Sequence, residues 1–203
     1  MNYTKAKERY CRQRCLVLIN QILAKSKVLD LQDTLLNSLK ACYMERSRDK
    51  VIAVRTVAAS GLCRLQNPID PDEEVISRIA ENIRHEQNSS VRVAYASEIM
   101  VHPITSPAII ETLRDEDITV RIAMLKNLEE HATIQVLSMD LRLAIVHCLE
   151  DRNEVIVKAA EAVIIRNWAS NNSLLVLLSL LEVEDNEITV MIFIFVNSRE
   201  SSF

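Results

Sequence analysis

The chain has 203 residues with one glycine and four prolines; about half of it is apolar, yet only 4% is aromatic. So little turn chemistry excludes a β-rich fold, and a core of Leu, Ile, Val and Ala suits closely stacked helices. The formal net charge of −4 hides a division, because residues 1–66 carry 13 Lys and Arg against 5 Asp and Glu, and the remainder 11 against 23. The first part can meet phosphate; the rest as a whole cannot.

A first long helix is predicted over residues 4–24, where the basic start "MNYTKAKERYCRQRC" lacks the apolar core of a secretory signal. Cys11 and Cys15 lie one turn apart on it without further ligands at zinc spacing, and five cysteines, an odd number, read as reduced intracellular thiols. Helices then alternate in pairs, A then B. The first pair covers 31–45 and 50–66, and Asn67-Pro68 stops it because a residue before proline leaves the α region. Asp70-Pro71-Asp72-Glu73 reads as a capping box opening the next A helix. Its B helix is predicted over 89–101, ended by Pro103. Ser106-Pro107 opens a short A helix at 108–114, with a B helix at 117–128. The pair 138–149 and 153–168 follows, and 173–182 opens a fifth. The run at 190–196 is the longest pure apolar stretch and is far too short to span a membrane.

A short motif recurs on the B helices. Val54-Arg55, Val91-Arg92, Val120-Arg121 and Val157-Lys158 align, with a degenerate copy at Val190-Met191, at spacings of 37, 29, 37 and 33 residues. Asp49, Asp115 and Asp185 stand six positions before the aligned residue; Glu86 takes that place in the second copy, and Asp151 sits one residue further back in the fourth. Such a period without strand signals indicates an all-α, HEAT-repeat α-solenoid of about five helix pairs over residues 1–186, with 187–203 an atypical terminal segment.

The charges beside the apolar seam have a structural account. An acid at the start of a helix caps free N–H groups and suits the helix dipole. An arginine two turns in can reach the acid of the adjacent repeat, its fork binding carboxylate at two points while its stem packs on apolar neighbours. Asp49, Arg55, Arg92, Asp115, Arg121 and Lys158 are therefore read as a repeat-spacing ladder, interrupted at Glu86 and Met191. Gly61 costs a helix about 1 kcal/mol relative to alanine, which close approach of a neighbouring helix would explain.

With these residues in hand, "RSRDKVIAVRTVAASGLCRLQNPID" (residues 46–70) resembles the condensin HEAT-repeat family known as condensin complex subunit 3, or CAP-G. "SSVRVAYASEIMVHPITSPAIIETLRDEDITVRIAMLKNL", "LSMDLRLAIVHCLEDRNEVIVKAAEAVIIRNW" and "LLSLLEVED" resemble later segments of that family in order. The likeness covers residues 12–186; family members are several times longer, and the last sixteen residues do not follow the pattern. It implies a non-catalytic subunit of condensin, active in mitotic chromosome condensation. Such a subunit binds the kleisin that bridges the SMC ATPase pair and holds double-stranded DNA in a basic groove. It also implies a nuclear and mitotic-chromosome location with a cytoplasmic pool, and no cofactor, metal, membrane or small-molecule substrate.

A grip on DNA without sequence preference needs lysines and arginines aimed at phosphates rather than bases. The candidates are Lys5, Lys7, Arg9, Arg12 and Arg14 on the first helix, Arg46, Arg48 and Lys50 at the next corner, and Arg64 on the following B helix. The corner ranks first, because rim loops present cations with little competition from acids; capping and solubility account for the same residues equally well. Two other classes stay in view: a generic HEAT scaffold or transport adaptor without DNA binding, and an enzyme such as a HEAT-like DNA glycosylase. Against the enzyme, the sole tryptophan, Trp168, suits inter-repeat packing, and His85, His102, His131 and His147 fall on different elements with no nucleophile or ligand at useful spacing. His147 reads as a packed histidine, and one glycine allows no phosphate loop.

Overall fold

In the computed structural model, described here for residues 2–25, 32–69 and 74–181, every described regular element is a helix. The chain divides into two compact units, Met1–Ala108 and Ile109–Phe203. The fold class is all-α, built of HEAT-type helix pairs.

In the first unit a 3-10 turn, Asn2–Lys5, precedes α1 (Arg9–Leu23), α2 (Asp33–Arg46), α3 (Ile52–Cys63), α4 (Glu74–His85) and α5 (Ser89–Ala96). The central helix is α3, which packs on α1, α2, α4 and α5. Its seam is small and fully buried: Val54, Ala58, Ala59 and Leu62 have no exposed surface. Around them Leu16, Tyr43, Ile76, Ile79, Val91 and Tyr95 complete the core. In α4 one apolar face, Val75, Ile76, Ile79, Ala80 and Ile83, buries at helical spacing. Gly61 meets the expectation of close approach: a Cβ built there would overlap the Tyr43 ring and lie 2.7 Å from Asn20 Oδ1.

The unit boundary falls within α6 (Ser106–Thr112). The second unit holds α7 (Ile118–His131), α8 (Met139–His147), α9 (Glu154–Ala162), a π-helical run Val163–Ala169 and α10 (Leu174–Leu180). Here α7 packs on α9 and on the π run, and α10 packs on the π run. Val120, Met124, Leu141, Ile145, Ile156, Val163 and Trp168 are fully buried or nearly so.

Several helix ends depart from the sequence expectation because side chains supply the backbone bonds. The helix expected over 4–24 breaks before α1, where Arg12 Nη1 donates to the carbonyls of Ala6 (2.8 Å) and Lys7 (2.9 Å). The helix expected to reach 101 stops at Ala96, and Gln66 then binds the chain beyond it, donating to Glu98 O (2.8 Å) and accepting from Met100 N–H (2.8 Å). The expected capping box at 70–73 and the terminal segment 187–203 lie outside the described residues. No described helix is long and apolar enough to cross a membrane.

Candidate nucleic-acid interface

Each later B helix begins with the same construction. A carboxylate accepts the N–H two residues on: Asp49 from Val51 (3.0 Å), Glu86 from Asn88 (2.9 Å), Asp115 from Asp117 (2.8 Å) and Asp151 from Asn153 (2.8 Å). Asn88, Asp117 and Asn153 are themselves N-caps, accepting from Ser90, Thr119 and Val155 N–H. At α5, α7 and α9 two orphan donors are thus satisfied in series, and at α3, whose N-cap is Val51, one.

The fourth residue of α1, α3, α5 and α7 is an arginine: Arg12, Arg55, Arg92 and Arg121. Arg12 donates through Nε and Nη2 to both oxygens of Asp49 (2.8 and 2.9 Å), and Arg55 does the same to Glu86 (2.8 and 2.9 Å). Arg121 pairs with Asp151. The remaining nitrogen turns back to the arginine's own loop: Arg55 Nη1 donates to Asp49 O (2.9 Å), and Arg92 Nη1 to Glu86 O (3.1 Å) and Gln87 O (2.9 Å). One acid therefore starts its own helix and fastens the preceding B helix. A bidentate guanidinium is the side chain that can serve both carboxylate and carbonyl.

Three expectations change on this geometry. Glu86 does not interrupt the ladder, since its longer side chain receives Arg55. Arg12 is a rung rather than a phosphate contact: its residue is 5% exposed and its charge is met by Asp49. Lys158 is no equivalent rung, because the fourth residue of α9 is Val157; Lys158 is turned about 100° from that position and is exposed. Its expected acid, Asp185, lies outside the described residues. Arg92 is buried, and Asp115 is half-buried with its capping bond in place.

Burial alone would raise the Asp49 carboxyl, but the Arg12 hydrogen bonds, the Val51 N–H and the charges of Arg12 and Arg46 hold it below its ordinary value. Burial likewise pushes Glu86 up, and the Arg55 hydrogen bonds, the Asn88 N–H and the charges of Arg55 and Arg92 outweigh it, leaving the group lowered.

The corner is less open than expected. Arg46 is mostly buried, donating to Asp49 Oδ2 (3.0 Å) and pairing with Glu45. Acids also stand beside its neighbours: Lys5 lies 3.5 Å from Glu45, and Arg48 lies 4.0 Å from Glu81. Arg64 lies 3.6 Å from Glu98. Arg9 donates to Tyr10 Oη (2.9 Å) and stands 4.8 Å from the centre of that ring. Lys7, Arg14 and Lys50 are exposed, as are Lys5, Arg9, Arg48 and Arg64. Arg12 and Arg46 thus leave the set that can face a phosphate.

His147 is exposed rather than packed, beside an open cleft of about 670 Å³ that it shares with Arg121, Glu150 and Asp151. Among the described residues no group of three or more His, Cys, Asp and Glu could hold a metal ion.

No family model matches the chain. Condensin complex subunit 3 of Schizosaccharomyces pombe is 32% identical over 186 residues, 89% of this chain and 21% of that protein. Condensin complex subunit 3 of Homo sapiens is 28% identical over 179 residues, 86% of this chain and 18% of that protein. The chain therefore spans about a fifth of the length of these relatives. Among solved structures, a chain of the S. pombe condensin Cnd3-Cnd2 subcomplex matches at a TM-score of 0.80 and 28% identity, over 99% of this chain and 27% of that one. The likeness to condensin complex subunit 3 carried by the repeat motifs extends over most of the chain.

Proposed function

We propose that this chain, related over most of its length to a fifth of condensin complex subunit 3, is a repeat array that holds kleisin and double-stranded DNA in a condensin assembly. The observation that carries the reading is the match over 99% of the chain to one subunit of a two-subunit condensin complex, Cnd3-Cnd2. The role is binding without chemistry, on mitotic chromosomes and in the nucleus with a cytoplasmic pool; ATP hydrolysis stays with the SMC pair that kleisin bridges. The DNA arm uses the exposed cations of the first unit, Lys7, Arg14, Arg48 and Lys50 foremost, with Lys5, Arg9 and Arg64 beside them.

Fluorescence anisotropy with a labelled duplex across a salt series tests that arm. Neutralising about four phosphates gives a log–log slope near −3.6, and Arg48→Glu with Lys50→Glu flattens it by about two. A slope of zero, or no change in the double variant, would discard DNA binding. The second reading, a scaffold that binds peptide and not DNA, draws on the neutralisation of Arg12 and Arg46 by Asp49. Co-purification with a kleisin fragment alongside failure to shift duplex DNA would select it.

A further inference from the structure

We draw no further inference here: the strongest candidate, the open cleft of about 670 Å³ in the second unit between the starts of α7 and α9, has walls whose charges already answer one another, Arg121 with Asp151 and His147 at 3.9 Å from Glu150, so nothing in the structure shows what would occupy it.

Discussion

Asp49 concentrates three demands in one side chain: it caps α3, receives both forks of Arg12 and takes a further bond from Arg46. Its side chain is 4% exposed and that of Arg12 7%, so removing either partner strands a buried charge. Asp49→Ala is expected to lower the unfolding free energy by about 3–5 kcal/mol, measured by urea titration, with Arg48→Ala as a nearly silent control. At Gly61, alanine would ordinarily gain helix propensity, but the Cβ overlaps the Tyr43 ring. Gly61→Ala should therefore cost about 1–3 kcal/mol; a gain would show that the ring can step aside. Thiol chemistry follows burial: Cys148, desolvated and near Asp151, is pushed up to about 11, and burial raises Cys63 well above its ordinary value. Ellman's reagent should find Cys11 promptly and Cys63 and Cys148 only on unfolding. The tight fit at Gly61 was legible in the sequence, since a lone glycine inside a helix needs a reason. Arg12 was not, because the motif was keyed to an acid six positions upstream and Ala6 stands there.

Among the elements, the B helices were the most readable, because an apolar seam at helical spacing survives any detail of their ends. Their termini were read less well. Gln66 bonding to Glu98 and Met100, or Arg12 bonding to Ala6 and Lys7, is a tertiary event that no local propensity encodes. Past α9 the helix widens to a π run that buries Trp168 while Asn167 donates to Glu129 O (2.7 Å), a contact 38 residues away along the chain. The caps, by contrast, are local and transferable. Asn153→Ala should destabilise the second unit by about 1 kcal/mol, seen as earlier hydrogen exchange in α9, with Asn153→Asp close to neutral. Equal protection in Asn153→Ala would mean that the cap is redundant beside Asp151.

Across the molecule, the count of cations overstated what a polyanion can meet. The ion pairs that remove Arg12 and Arg55 from the tally join residues 37 and 31 apart, which is why the charge division between the first third and the remainder looked simpler than it is. The same pairs tie stability to pH. Asp49 and Glu86 sit below their ordinary values of 3.8 and 4.5 in the folded chain, so the unfolded chain binds more protons as pH falls through that range. Stability from these groups is complete above about pH 5 and is lost progressively below the ordinary values. Glu86→Gln should lower the urea midpoint at pH 7 and make it fall less between pH 5 and pH 3; an unchanged acid slope would remove Glu86 from the account.

The double duty of Asp49, Glu86 and Asp151 also dictates how such an array can be lengthened or shortened. A repeat excised at the tips of its helices would carry away an acid whose arginine stays behind, and leave an arginine whose acid has gone. Deletions and grafts should be tolerated when the splice keeps each donor with the acceptor one repeat ahead. Recombination between homologous modules has to respect that staggered joint rather than the visible boundaries of the helices.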